Sequence, residues 1–432
     1  MTDAPAIAFV TLGCPKNEVD TDRMAASVQA SAYRLTDTLE DADVVVLNTC
    51  AFIQAATEES IAAAFELTGS WREERPGRRV IVAGCMVSRY GADLAGAMPE
   101  PDSFVPVADE DGIVPVIEGL TGAPARTHPI AVLRTPPGMT GYLKVSEGCD
   151  RRCAYCTIPA IRGPFVSAPM QPLIDEARFL AEGGAREIIL VGQDIARYGH
   201  GLPADTDLPQ LVERLSAIDG DFRIRLMYVQ PDGVTPRLLE TMAASPRVCR
   251  YLDIPLQHAS ERVLKAMGRP GGPEAHIALL ERIRAVMPEV SLRTTVMAGF
   301  PGETEDDFDE LARFLAEARF DHAGVFAYSP EEGTRAAVMP DQVPEELRLE
   351  RAQILRDIAD ETGFARAAAR VGSVQQLLIE GTDEDGSLWG RTCGQAPEVD
   401  GITFFDSAAT PGTLVVARIA DSIGYDLVGV PL

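Results

Sequence analysis

Along the first third of the chain, short apolar runs alternate with longer stretches of mixed polarity. Three of the runs, AIAFVTLGC, ADVVVLNTC and RRVIVAGC, read as strands, and each leads straight into a cysteine: Cys14, Cys50 and Cys85. Stretches between them, such as QAATEESIAAAFEL (54–67), space their apolar positions for one face of a helix. Strand-helix-strand order predicts a parallel sheet, here a doubly wound α/β domain over residues 1–130. Ligands of such sheets gather beyond the carboxyl ends of the strands. The three cysteines share that topological position although about 35 residues separate each from the next. One such cysteine is ordinarily a small buried residue; three at equivalent strand ends suggest a shared site.

The pattern lapses at LTGAPARTHPIAVLRTPPG (120–138), which is rich in Pro and Gly and marks a domain boundary. A second alternation follows. GYLKVSEGC, EIILVGQD, FRIRLMYVQ, YLDIPLQH, SLRTTVMAGF and HAGVFAYS read as strands, separated by helical stretches such as LPQLVERLSAI and DDFDELARFLAEA. Six strand-helix units predict an incomplete (β/α)6 TIM-type barrel, which with the long helical stretch 343–372 forms a domain over 138–370. Its chemistry is expected on the loops after the strands. Cys149, Gln193, Asp194, Tyr228, Gln257, His258, Gly299, Gly302, Tyr328 and Ser329 fall there. From Gln375 the runs become short, alternating and punctuated by Gly and Asp, which predicts a small antiparallel β-barrel over 373–432.

Composition sharpens this picture. With 46% hydrophobic residues, no window near the roughly 18 apolar residues of a membrane span, and an acidic first segment, the 432-residue chain is expected to be cytoplasmic, with no membrane partner. Eight cysteines in that setting point to metal or redox chemistry more than to disulfides. The net charge is −26, from 39 Lys and Arg against 65 Asp and Glu, and residues 373–432 carry nine acids against two bases. Such a field repels polyphosphate and attracts basic partners.

SEGCDRRCAYCTIP (146–159) concentrates three thiols, Cys149, Cys153 and Cys156, in one polar turn. Thiolates select zinc or iron-sulfur clusters. Structural zinc wants four protein ligands, and no second pair follows at a useful distance. A 4Fe-4S cluster on three cysteines leaves one iron free to bind a small molecule. The spacing CxxxCxxC, with Tyr155 before the last cysteine, resembles the radical S-adenosylmethionine superfamily. That resemblance implies S-adenosylmethionine at the open iron and its one-electron cleavage to a 5'-deoxyadenosyl radical. Tyr155, Gln193, Asp194, Gly299 and Gly302 are candidates for holding it, each with the alternative of simple loop turning.

The segments GCPKNEVD, LNTC and AGC narrow the likeness to the methylthiotransferases, whose terminal β-barrel is called TRAM. The resemblance implies a second 4Fe-4S cluster on Cys14, Cys50 and Cys85. Cys249 and Cys393 lie in no cluster motif and read as structural. GRTCGQAPEVDG (390–401), GCPKNEVD and YSPEEGT are similar to the branch, RimO, that modifies an aspartate of small-subunit ribosomal protein uS12, free or in the ribosomal particle. Implied with it are S-adenosylmethionine as both methyl donor and radical source, 3-methylthioaspartate as product, and a low-potential electron donor such as flavodoxin or ferredoxin. The sulfur donor is not indicated. The neighbouring branch methylthiolates tRNA adenosine, against which the acidic terminal segment argues. A non-enzymatic iron-sulfur carrier and a zinc-dependent nucleic-acid module are the alternatives of other classes.

Overall fold

A computed structural model describes residues 4–31, 33–125, 134 and 138–432. The boundary expected at 120–138 falls largely outside them. The chain forms two compact units, one of residues 1–136, 147–151 and 156–166, the other of 137–146, 152–155 and 167–432.

The first unit is built on five parallel strands, β1 (Ala6–Thr11), β2 (Arg34–Leu35), β3 (Val44–Thr49), β4 (Arg79–Gly84) and β5 (Ser103–Pro106), in the order β2-β1-β3-β4-β5. All six residues of β3 are buried, which is why its sequence is apolar without alternation. On one face Ile7, Val44, Val46 and Ile81 pack against Met24 and Val28 of helix Pro15–Ala30 and Ile113 and Ile117 of helix Ile113–Thr121. On the other, Val45, Leu47, Val80 and Val82 meet Ala64 of helix Gln54–Glu66 and Met86, Val87 and Leu94 of helix Cys85–Ala97. The sheet is thus doubly wound. Its order reverses between β1 and β3, so the connections leaving these strands diverge and open a crevice at the carboxyl edge.

The second unit contains six parallel strands, β6 (Thr140–Lys144), β7 (Glu187–Val191), β8 (Arg223–Leu226), β9 (Tyr251–Gln257), β10 (Ser291–Ala298) and β11 (His322–Ala327). They alternate with helices as expected, but as two three-stranded sheets, β6-β7-β8 and β9-β10-β11, linked by an isolated bridge between Ile224 and Val248. The break has a local cause. Beyond β8 the chain turns through Tyr228 at φ 62°, and the Tyr228 N–H is donated to the Asp253 carboxylate (3.1 Å) in place of a ladder carbonyl. Leu143, Leu190, Ile224, Leu252, Ile254 and Leu292, on the helix-facing side of the strands, share one core with the surrounding helices.

Five further strands, β12 (Val374–Thr382), β13 (Leu388–Thr392), β14 (Thr403–Phe405), β15 (Leu414–Ile423) and β16 (Asp426–Pro431), close into a barrel in the order β12-β13-β14-β16-β15. Four of its ladders are antiparallel and β14–β16 is parallel. A closed ring with an odd number of strands cannot alternate direction all the way round, so one parallel pair is unavoidable. Buried Glu187 at the start of β7 anchors this barrel: it accepts from Arg223 Nε (2.9 Å), lies 3.1 Å from Arg391 Nη1, and pairs with Arg225.

Candidate metal centre

The first cysteine set is assembled by the topology of the first unit. Cys14 is the N-cap of the helix after β1, Cys50 follows β3, and Cys85 opens the helix after β4. Gly13 lets the first two connections meet: at φ +99°, a Cβ there would lie 2.6 Å from Cys50 Cβ and 3.0 Å from its sulfur. Ser60 pins Cys50 from behind, its hydroxyl accepting from Cys50 N (3.1 Å) and donating to Cys50 O (2.7 Å).

Asn17 is the polar hub. Its Nδ2 donates to Leu12 O (2.8 Å) and Thr49 O (3.0 Å), which aims Oδ1 at the thiols, 3.7 Å from Cys85 Sγ and 4.0 Å from Cys14 Sγ. Arg162 completes the cluster. Its Nη2 lies 2.6 Å from Asn17 Oδ1 and 3.3 Å from Cys85 Sγ, while Nη1 binds Asp20 Oδ2 at 2.9 Å and reaches Glu147. The guanidinium is almost wholly buried, a costly placement that the Asp20 pair offsets. Burial pushes the Cys85 thiol up to about 12, against the pull of Arg162. Burial likewise raises Cys50, whereas at Cys14 the opposing charges of Lys16 and Arg162 and nearby backbone donors outweigh burial and bring the thiol below its usual range.

Zinc bonds thiolate at about 2.3 Å, so one ion needs its ligands converged on a point. No group of three His, Cys, Asp or Glu side chains that could hold a metal ion occurs among the described residues. Thiols spread over three strand ends, with a neutralised cation behind them, suit a multi-iron cluster whose irons each take one sulfur. The all-thiol donor set suits iron-sulfur chemistry in the same way.

In the CxxxCxxC stretch, Cys149 is buried in the first unit and donates its N–H to Gly163 O (3.1 Å). Gly148 before it has φ +68°, and a Cβ there would lie 2.1 Å from Pro164 O, so only glycine permits this turn. Half-buried Cys156 is followed by Thr157, whose hydroxyl donates to Phe52 O (3.2 Å). Cys153 belongs to the second unit, with Arg269 Nη1 3.7 Å from its sulfur and Arg269 Nη2 held by Pro255 O (2.7 Å). Next in sequence, Ala154 is fixed by Met267 O and Ala336 N, and Tyr155 packs on the apolar group of Leu264, Met267, Phe300 and Tyr328.

The candidate S-adenosylmethionine residues divide. Gln193 and fully buried Asp194 follow β7 at its carboxyl end. Gly299 and Gly302 already have internal uses. Gly299 donates its N–H to Glu303 Oε2 (2.8 Å), and a Cβ on it would strike Arg348 Cγ at 2.2 Å; Gly302 donates to Asp341 O (2.8 Å). Sequence reasoning passed over Asn17, Asp20, Ser60 and Arg162. Asn17 and Asp20 lie within the quoted GCPKNEVD, but no local pattern marks Arg162, 145 positions from Asn17.

Comparison with known proteins places the chain in a family. Residues 6–106 match the uncharacterized protein family UPF0004, 143–315 the radical SAM superfamily and 371–432 the TRAM domain. The chain is 45% identical to a ribosomal protein uS12 methylthiotransferase RimO of Pelotomaculum thermopropionicum and 41% identical to one of Geobacter sulfurreducens, in both cases over 98% of each chain. Among solved structures, the radical S-adenosylmethionine methyltransferase TsrM of Kitasatospora setae, with cobalamin and a [4Fe-4S] cluster bound, shares the fold. Its TM-score is 0.54 at 13% identity, over 78% of this chain and 74% of that one. The cobalamin-dependent S-adenosylmethionine radical enzyme OxsB gives 0.53 at 13% identity, over 82% and 56%. The full-length identities, taken with the three domain matches, show that the chain belongs to the RimO family of radical S-adenosylmethionine methylthiotransferases.

Proposed function

We propose that the chain converts an aspartate of ribosomal protein uS12 to 3-methylthioaspartate, with two 4Fe-4S clusters and S-adenosylmethionine. The observation that carries this reading is the identity of 39–45% with eight proteins named for uS12, across 97–99% of the chain. When bound, the clusters and S-adenosylmethionine supply a sulfur carrier, a methyl group and one-electron activation of an unactivated carbon. Cys149, Cys153 and Cys156 would hold one cluster, with Gln193 and Asp194 after β7 as candidate contacts for S-adenosylmethionine. Cys14, Cys50 and Cys85 would hold the other.

The protein's own contribution is placement and charge. Asn17 fixes the Cys14 and Cys85 connections relative to each other, and Arg162 sets a positive charge beside the Cys85 sulfur while Asp20 keeps the buried site near neutral. Arg269 does the same beside Cys153. Electrons would come from a flavodoxin- or ferredoxin-like donor, and sulfur from an external source. Six acids of the terminal barrel, Asp383, Glu384, Asp385, Glu398, Asp406 and Asp421, are exposed against the single exposed base Arg418. That surface favours a basic protein over a phosphate backbone.

The test compares both branches in one strain. On deletion of the gene, uS12 should lose the roughly 46 Da that a methylthio group adds in place of hydrogen, with tRNA methylthioadenosine unchanged. Loss of the tRNA modification with uS12 still modified would assign the chain to the other substrate.

A further inference from the structure

Two cysteines take no part in either candidate cluster, and the fold brings them together from 144 positions apart: Cys249 Sγ lies 3.1 Å from Cys393 Sγ. Cys249 precedes β9 of the catalytic barrel and Cys393 follows β13 of the terminal barrel. Both backbones are held independently of the sulfurs. Cys249 donates its N–H to Ile224 O (2.8 Å), while Arg225 Nη1 binds Cys393 O (2.8 Å), Arg225 Nη2 binds Gln395 O (3.0 Å) and Arg223 Nη1 binds Arg391 O (3.0 Å). The sulfurs stand only about 1 Å beyond the ~2.05 Å of a disulfide bond.

Their exposures differ. Cys249 is fully buried, but Cys393 lines a groove of about 660 Å³ together with Arg250, Arg366, Arg370 and Gln375, with Glu289 as the acid facing it. A small anionic reagent could therefore reach Cys393 and not Cys249. The Cys249 S–H donates to Cys393, and Arg223 and Arg225 add positive charge, so Cys393 is held below the usual thiol range, whereas burial holds Cys249 above it. The half-buried thiol that lines the groove is also the more nucleophilic one at neutral pH.

We propose that Cys393 and Cys249 form a reversible thiol-disulfide pair, oxidised by low-molecular-weight disulfides that enter the groove, which covalently ties the terminal barrel to the catalytic barrel. In the first step the Cys393 thiolate attacks one sulfur of the reagent, forming a mixed disulfide and releasing one thiolate. Cys249 then attacks Cys393 Sγ, giving up its proton to the departing group, and the second reagent thiol leaves. The two cysteines lose two electrons and two protons; the reagent disulfide gains them as two thiols.

The experiment treats the anaerobically reconstituted holoprotein with glutathione disulfide and maps unreduced peptides by mass spectrometry. Wild type should give the peptide carrying Cys249 joined to that carrying Cys393, reversed by excess dithiothreitol. Cys249→Ser should accumulate glutathione on Cys393, and Cys393→Ser should leave Cys249 unmodified. Three results would overturn the proposal: a wild-type adduct that stays on Cys393 without cross-linking, an unmodified Cys393 in Cys249→Ser, or an adduct on Cys249 in Cys393→Ser.

Discussion

The thiols of the first unit and the thiol pair of the second are built from the same parts. In each, a buried arginine neutralised by a carboxylate stands beside sulfur: Arg162 with Asp20 next to Cys85, and Arg223 and Arg225 with Glu187 near Cys393. What differs is the group each sulfur faces. Asn17 Oδ1 stands between Cys14 and Cys85, at 4.0 and 3.7 Å, whereas sulfur meets sulfur at 3.1 Å in the second unit. At Cys393 the Cys249 S–H and the cations hold the thiol low, whereas at Cys85 burial outweighs Arg162, so the same parts leave the two sulfurs in different states. The proposed roles divide accordingly: a cluster on the three strand-end thiols and a disulfide on the pair in contact.

The largest expected effect tests that division directly. Replacing Cys14, Cys50 and Cys85 with alanine should lower the iron content of the reconstituted protein from about eight atoms to about four and abolish methylthio transfer, while cleavage of S-adenosylmethionine persists. Replacing Cys249 and Cys393 with serine should leave iron content and transfer under reducing conditions unchanged. Iron analysis and product quantification on the two variants decide it. Loss of all iron from the first variant, or of any iron from the second, would break the comparison.

The carboxylate side of the comparison carries the next effect. Glu187→Gln leaves Arg223, Arg225 and Arg391 buried around a neutral amide, and breaking a buried ion pair in this way costs about 3–5 kcal/mol. Burial alone would raise the Glu187 carboxyl, but the three arginines outweigh it and hold the group well below the usual carboxylate range. Since its folded value is depressed, its stabilisation is fully present above the unfolded value of about 4.3 and is lost as pH falls from there towards the folded value. Urea unfolding at pH 7 and at pH 3 should therefore show a large stability gap between wild type and Glu187→Gln that narrows in acid. A gap that is constant with pH would mean that the carboxylate charge is not what stabilises the site.

How much of this was legible in the sequence depends on how local the cause is. The unbroken apolar run of β3 and the six strand-helix alternations announce their elements because burial on both sheet faces, or on one helix face, dictates each position. That Cys14, Cys50 and Cys85 follow neighbouring strands at one sheet edge could also be read, since the strand-end rule turns a one-dimensional repeat into a shared edge. The break between β8 and β9 could not, because it depends on Tyr228 adopting positive φ and on a carboxylate 25 residues away. Arg162 and the Cys249–Cys393 contact were hidden for the same reason: Asn17 and Asp20 lie more than 140 positions from Arg162, as Cys249 does from Cys393, and only the folded chain supplies the pairing. APEVDG was legible as a family signature, yet its Asp400 is an internal tie, accepting from Tyr251 Oη (2.7 Å) and Ala396 N (2.8 Å).

The smallest effect belongs to charges that are exposed instead of buried, which completes the contrast. The turn between β12 and β13 presents Asp383, Glu384 and Asp385, but the three are not equivalent: the Asp383 carboxylate accepts from the N–H groups of Asp385 (3.1 Å) and Ser387 (2.8 Å) and so builds the turn. Reversing only Glu384 and Asp385 to lysine changes the local charge by four units without touching those bonds. Solvent screens such charges, so folding stability should shift by no more than about 0.5 kcal/mol. Association with a basic ribosomal protein should weaken on the order of tenfold at 0.01 M salt, where the Debye length is ~30 Å, and converge with wild type near 1 M, where it is ~3 Å. Binding measured across that salt range separates steering from contact: a loss of affinity that persists at 1 M would place these side chains inside the interface, and no loss at any salt would remove the terminal barrel from substrate selection altogether.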